Sequence, residues 1–238
     1  MQAKKLTVSL ILTASLYAPC WAQAYRGDVQ MIPLCAPYAL YPDTVLAQVL
    51  LASAYPEQLL EAHAWCNNHA NLHGPKLASA LSYQGWDNSV KALCPYPQVM
   101  YKMISDMPST TSLGADFRVD KTSVLDCIQG LRAQAHTKGA LGNTAQQKIV
   151  VTNATIQIQP TDPDTVYLPN YDPTVFSSNA NYGDGLLTFG TGVALGAPFK
   201  NSYAAINWVG HVVYTGASVY DSCHGGSPLG NPSGTIGR

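Results

Sequence analysis

Side chains that can bind a soft metal ion lie close together in the sequence, at His63, Cys66, His69 and His73. On a continuous helix, steps of three and four residues fall on one face, so these side chains would form one stripe. Imidazole and thiolate groups suit zinc or copper. However, the Gly-Pro pair at 74–75 favours a helix end before His73, and the spacing matches no standard zinc motif. The sequence therefore predicts, as an alternative function, a metal site at His63, Cys66 and His69; the simpler interpretation is a polar helix face that runs into a loop.

Other catalytic arrangements are missing from the sequence. It contains no Gly-x-Ser-x-Gly motif for a nucleophilic serine. Cys223 and His224 are neighbours in the chain, but a thiol–imidazole pair normally forms between residues that are distant in sequence. Acidic residues such as Asp87 and Asp162 fall at predicted helix caps and turns. We therefore assign no catalytic residue and no cofactor, and we expect a protein that is not an enzyme. The alternative function is a metal-binding protein or a hydrolase that uses residues 63–73.

The first 24 residues have the pattern of a secretory signal peptide. Lys4 and Lys5 supply the positive charge, residues 6–16 (LTVSLILTASL) form an uncharged apolar stretch, and residues 22–24 (AQA) fit a cleavage site. The apolar stretch is shorter than the roughly 20 residues that span a bilayer. We predict cleavage before Tyr25, a periplasmic or secreted location, and no transmembrane span in the mature chain.

The composition argues against nucleic acid as a partner. Cleavage would change the formal net charge from −1 to −3, because it removes two lysines and no acidic residue. Nucleic-acid binding needs clustered lysines and arginines, whereas charged residues make up only 11% of this chain. We therefore expect no nucleic acid among its partners.

Five of the six cysteines would remain after cleavage: Cys35, Cys66, Cys94, Cys127 and Cys223. Exported cysteines usually meet an oxidant, so we expect at least one disulfide. The first four allow three pairings, between which the sequence does not choose. Buried free thiols that act as small apolar groups are the alternative.

Residues 25–142 are predicted to form a bundle of short helices, because their apolar residues recur at intervals of three and four. Pro108 is predicted to end the helix that starts at Pro97. The predicted helices start at Asp43, Pro56, Asp87, Pro97 and Asp120, with a short one through Leu77 and Leu81; each of the three aspartates is a predicted N-cap. Helices this short must pack together, since they are unstable alone.

The period changes to two in residues 143–177, which predicts a small antiparallel β-meander. Its strands are expected at 148–152, 155–159 and 165–168, with a tight turn at 153–154. Residues 178–238 hold 12 of the 19 glycines and form a Gly-rich apolar tail that we expect to be partly disordered, above all in its last fifteen residues. Within the tail, residues 186–197 are predicted either to dock on the folded part or to be loosely ordered. The predicted fold class is mainly α.

Several phrases of the sequence resemble one known family. The match runs from about Leu34 to Phe176. The phrases are 34–43 (LCAPYALYPD), 46–50 (LAQVL), 86–93 (WDNSVKAL), 131–135 (LRAQA) and 166–173 (VYLPNYDP), and 189–194 (FGTGVA) is also similar. In this order they resemble the uncharacterised bacterial envelope family DUF3300. The resemblance implies an exported, mostly helical domain followed by short strands, and it implies no activity or catalytic residue.

These observations together favour a non-enzymatic binding or assembly protein of the cell envelope, or a secreted one. An apolar tail with few charges is a surface that a soluble monomer would have little reason to expose. We therefore expect an envelope partner, or self-association, through residues 178–238.

Overall fold

The structure, a computed structural model, describes residues 30–176, 187–195, 199 and 204–215. The predicted signal peptide and the last fifteen residues lie outside the described residues. Eight α-helices come first within these ranges. They are α1 (Met31–Cys35), α2 (Asp43–Ala52), α3 (Pro56–Asn68), α4 (Gly74–Ser82), α5 (Asn88–Leu93), α6 (Pro97–Ser105), α7 (Met107–Val119) and α8 (Lys121–Thr137).

The helices pack around one apolar core, as their short lengths require. Helix α2 lies at its centre, against α5 and α7, and α3 packs on α6. Leu46, Leu50, Leu59 and Ile128 are fully buried there. Burial of a leucine or isoleucine side chain contributes about 1.5–3 kcal/mol, so mutual packing stabilises helices that would not form alone.

Two of the three predicted aspartate caps are confirmed. The Asp87 carboxylate accepts a hydrogen bond from the backbone N–H of Ser89 at 2.8 Å, and that of Asp120 accepts one from Ser123 at 3.0 Å. The prediction for Asp43 is wrong, because Asp43 is the first residue of α2 and Pro42 precedes it as the cap residue. The Asp43 carboxylate is instead an acceptor for distant donors.

Helix α7 was not predicted from the sequence, and the expected role of Pro108 is wrong. Pro108 lies in the first turn of α7, where its missing N–H costs no helical hydrogen bond. Asp106 caps this helix by accepting a hydrogen bond from the Ser109 N–H at 3.2 Å. The proline therefore belongs to the start of α7, and α6 has already ended at Ser105.

The segment that runs from the end of α1 to the first residue of α2, residues 36–43, is largely buried although most of it lies outside the helices. Distant side chains satisfy its carbonyl groups, as buried backbone requires. Arg132 donates to the carbonyl oxygens of Ala39 (2.8 Å) and Tyr41 (2.9 Å). The Tyr171 hydroxyl donates to Ala36 O (2.8 Å). We call residues 36–43 the clamped segment.

Arg132 is fully buried in α8 and connects the clamped segment to the strands. Its Nη1 donates to Asp43 Oδ1 at 2.6 Å and to the Ile156 carbonyl at 2.8 Å. Trp208 completes the cluster: its Nε1 donates to Asp43 Oδ2 at 2.8 Å, and its ring lies 4.8 Å from the guanidinium carbon. A buried guanidinium needs this many acceptors, because an unpaired charge inside a protein costs several kcal/mol.

Small antiparallel strand pairs follow the helices, which confirms the predicted fold class. Strand β1 (Gln147–Thr152) pairs with β2 (Thr155–Pro160) through the predicted turn, in which Asn153 and Ala154 have φ of 49° and 63°. The predicted third strand does not extend this hairpin. Instead β3 (Thr165–Val166) pairs with β6 (Val193–Ala194), and β4 (Pro169–Asn170) pairs with β5 (Thr188–Phe189).

Described parts of the Gly-rich tail therefore dock on the folded region. Docking was one of the two alternatives predicted for residues 186–197, and loose order was the other. Strands β7 (Ala204–Asn207) and β8 (Val212–Thr215) form a further hairpin, and β7 packs on α2. Ile206 and Trp208 are buried, and His211 Nε2 lies 2.9 Å from Asp126 Oδ1 of α8. Ile206, Trp208 and His211 thus contact the helical part of the same chain. An envelope partner or self-association through residues 178–238 stays a prediction.

The division into residues 25–142, 143–177 and 178–238 also stays a prediction. Among the helices of the described ranges, none is both long and apolar enough to cross a membrane.

Candidate functional site

A cavity of about 750 Å³ lies where the helices meet a loop from the Gly-rich part of the chain. Its helical wall comes from the end of α3, the start of α4, and the turn between α5 and α6. The opposite wall is residues 190–194, which include β6 and run beside Leu168. We call residues 190–194 the strap, and the space the strap cavity.

The strap cavity has mostly apolar walls, and most of its polar side chains are exposed to solvent. Leu77 and Leu168 are buried in its walls, and Leu72 and Val193 are half-buried beside them. Its polar side chains include the half-buried His69 and the exposed Asn67, His73, Gln98 and Thr191. None of the described lining residues is Asp, Glu, Lys or Arg. The cavity therefore suits an apolar, uncharged group, and its size is in the range of about 300–1,000 Å³ that is usual for small-molecule sites.

Gly192 allows the strap to approach the strands closely. A Cβ atom at this position would lie 2.5 Å from Thr165 Cγ2 and 2.7 Å from Tyr167 Cε1. Non-bonded carbon atoms are normally about 3.5–4.0 Å apart, so a larger residue fits only if these side chains or the strap move. The glycine thus allows the close approach of the strap to β3.

Two cysteine thiols meet at the helical wall of the strap cavity. Cys66 lies in the last turn of α3, Cys94 directly follows α5, and both line the cavity. A hydrogen bond between the two thiols lowers the pKa of Cys66, and the same bond together with burial raises the pKa of Cys94. Cys66 is also the more accessible of the two, because it is half-buried whereas Cys94 is buried.

The other predicted metal ligands are directed to different partners. His69 Nδ1 lies 2.8 Å from the Trp65 carbonyl oxygen, and its ring stacks on the Trp65 indole at 4.1 Å. His63 lies 3.4 Å from the Asn67 side-chain amide, beside the Tyr101 ring. Within the ranges that the structure describes, no three His, Cys, Asp or Glu side chains are grouped to hold a metal ion. Metal binding at His63, Cys66 and His69 stays a prediction.

Cys66 and His69, two of the three predicted metal ligands, line this cavity, whereas the strap and Leu168 were not predicted from the sequence. Gly190 and Gly192, with one residue between them, were the available signal. Such spacing permits close backbone approach, but it does not tell which part of the chain is approached. The contact becomes visible only once β3 and β6 are paired.

A second cavity, of about 610 Å³, lies beside the clamped segment. Lys102 lines it, with Nζ 5.6–6.0 Å from the ring centres of Tyr38, Tyr41 and Tyr171. This ammonium group donates to the Pro37 carbonyl oxygen at 3.2 Å, and burial lowers its pKa. Lys102 therefore serves the clamped segment, which makes the strap cavity the better candidate for an external ligand.

A second pair of thiols lies in the core. Cys35, the last residue of α1, is hydrogen-bonded to Cys127 of α8, and this bond raises the pKa of Cys35 and lowers that of Cys127. The expected disulfide is not present among the described cysteines, which are all free thiols. Cys223 lies outside the described residues.

Comparison with known proteins places the chain without assigning a function. The chain is 31% identical over 209 residues to "Uncharacterized protein YacH" of Escherichia coli (strain K12). The alignment covers 74% of this chain and 34% of that protein, so the chain spans about a third of the relative's length. No solved structure matches it significantly. Residues 28–225 match a family model described as "Protein of unknown function (DUF3300)", and the chain therefore belongs to this family.

Proposed function

We propose that this chain is an exported binding protein that takes an uncharged, apolar ligand into the strap cavity. The shape and chemistry of this cavity are the observation that supports the proposal. Its walls are mostly apolar, most of its polar side chains are exposed to solvent, and no Asp, Glu, Lys or Arg lines its described part. An apolar ligand gains roughly 25 cal/mol for each Å² that it removes from water, whereas a charged ligand would lose its hydration without gaining a counter-ion.

Binding is testable with a neutral fluorescent probe, N-phenyl-1-naphthylamine, whose emission rises in apolar surroundings. We expect saturable binding of the probe by the full chain. For Leu72→Trp we expect a Kd at least about tenfold higher, because a loss of about 1.4 kcal/mol in binding free energy raises the Kd tenfold. Leu72 lines the strap cavity in the connection between α3 and α4, where a larger ring would occupy the space without disturbing a helix.

Leu60→Trp is the matched control, because Leu60 is 51% exposed on α3 and does not line the cavity. This variant should bind the probe as the unchanged protein does, and circular dichroism should show that both variants are folded. Equal Kd values for Leu72→Trp and Leu60→Trp would place probe binding elsewhere and refute the proposed site.

Export is supported by the signal pattern and is tested by the N-terminus of the protein that a bacterial host produces. We expect protein from the periplasmic fraction or the medium to begin at Tyr25, as measured by intact mass. Ala24→Arg should block this cleavage, since the cleavage site needs a small residue before it. Recovery of the unchanged chain from the cytosol with Met1 still present would contradict export.

A further inference from the structure

The four described cysteines form two separate pairs on neighbouring helices. Cys35 of α1 and Cys127 of α8 lie where these two helices pack on each other. We call these two cysteines the core pair. Cys66 at the end of α3 and Cys94 at the end of α5 lie where these two helices pack on each other. We call these two cysteines the cavity pair. The fold thus selects one of the three pairings that the sequence allows.

The two pairs differ in their access to solvent. Cys35 and Cys127 are 1% and 4% exposed, within the apolar core. In the cavity pair, Cys94 is buried but Cys66 is half-buried and lines the open strap cavity. A dissolved oxidant can therefore reach Cys66 in the folded protein, whereas it reaches the core pair only when α1 separates from α8.

We propose that both pairs are sites of disulfide formation, Cys66–Cys94 and Cys35–Cys127, with an external disulfide as oxidant and the cavity pair reacting first. This inference goes beyond the proposed function, because it depends on the placement of the thiols and not on any ligand.

The reaction is an ordinary thiol–disulfide exchange in two steps. The Cys66 thiolate attacks one sulfur of the external disulfide, which forms a mixed disulfide and releases one thiol. Cys94 then loses its proton and attacks the Cys66 sulfur, which forms the intramolecular bridge and releases the second thiol. Two cysteine thiols are oxidised, and one external disulfide is reduced to two thiols. Cys66 suits the first attack because it is half-buried at the open strap cavity, and Cys94, which lines the same cavity, completes the second.

The same exchange at the core pair requires local opening. Helix α1 has only five residues, so its separation from α8 is a small-scale event. The core pair reacts only while α1 is separated from α8, so its rate of oxidation is proportional to the small fraction of time that the protein spends in this open state. We therefore expect the core pair to be oxidised at least roughly tenfold more slowly than the cavity pair.

The test starts from the reduced full chain incubated with glutathione disulfide, alkylated at successive times and mapped by peptide mass spectrometry. We expect a Cys66–Cys94 peptide first, a Cys35–Cys127 peptide later, and a rise in Tm of about 5–10 °C for each bridge. Crossed pairs such as Cys35–Cys66, or four alkylated thiols after prolonged incubation, would overturn the assignment. A core pair that forms first would overturn the proposed order.

Single variants separate the two bridges. Cys66→Ser should lose the cavity bridge and keep the core bridge, and Cys35→Ser should do the reverse. Cys223→Ser should keep both, because Cys223 belongs to neither pair. If Cys35→Ser does not fold, Cys66→Ser and Cys223→Ser still decide the pairing, since a Cys35–Cys127 peptide must persist in both.

Discussion

Replacing Arg132 with methionine is expected to lower the free energy of unfolding by about 3–5 kcal/mol. Methionine fills much of the same volume, but it cannot donate to Asp43, nor to the carbonyl groups of Ala39 and Tyr41. Each buried acceptor that loses its donor costs about 1–3 kcal/mol. The Asp43 carboxylate would also lose the cation that compensates its charge.

Urea denaturation followed by circular dichroism measures this loss. Arg118→Met is the matched control, because Arg118 is exposed in the last turn of α7, and it should change stability by less than about 0.5 kcal/mol. Should Arg132→Met cost no more than Arg118→Met, the buried cluster would not be the stabilising feature that we describe.

Gly114→Ala is expected to destabilise the protein by about 1–3 kcal/mol, against the usual effect of this substitution in a helix. Alanine is normally favoured over glycine inside a helix by about 1 kcal/mol. At Gly114 of α7, however, the added methyl group would overlap the carbonyl group of Ser53 and lie 2.8 Å from the backbone nitrogen of Ala54. Backbone atoms cannot rotate away as a flexible side chain can, so α7 must move off the end of α2.

The same denaturation experiment distinguishes this crowding from a general effect of glycine replacement. A methyl group at Gly85 would meet no atom within 4 Å, so Gly85→Ala should leave stability nearly unchanged. A Gly114→Ala variant that is as stable as the starting protein, or more stable, would show that helix propensity dominates and that α7 and α2 are not in close backbone contact.

Local signals in the sequence predicted those features that depend on neighbouring residues. Asp87 and Asp120 cap helices because their carboxylates reach backbone N–H groups two and three residues away. The turn at Asn153 and Ala154 joins adjacent strands. Each of these is fixed by a few consecutive residues, and the sequence pattern contains all of them.

Asp43 has the same sequence signature as the two true caps but a different role, which no local pattern reveals. Its ion-pair partner Arg132 is 89 positions away, and Trp208 is 165 positions away. Pro108 was misread for a related reason: a proline fits both after one helix and at the start of the next. The hydrogen bond between the Asp106 carboxylate and the Ser109 N–H decides between these two positions for Pro108.

The strap cavity was only half predictable. The His63–His73 segment indicated a polar surface at the end of α3, and residues of that segment do line the cavity. The opposite wall depends on pairs of two-residue strands, β3 with β6 and β4 with β5, whose partners are far apart in sequence. Strands this short carry no periodicity to read, so their pairing has to come from the structure.

The clamped segment also has a consequence for the order in which the molecule matures. Ribosomes deliver a chain from its first residue onward, at roughly 5–20 residues per second, so the indole that binds Asp43 is synthesised roughly 10–30 s after Asp43 itself. Contacts across such distances along a chain form slowly. A growing chain thus cannot complete the contacts of Asp43 until Trp208 has emerged, so the early part of the molecule reaches its final arrangement only near the end of synthesis.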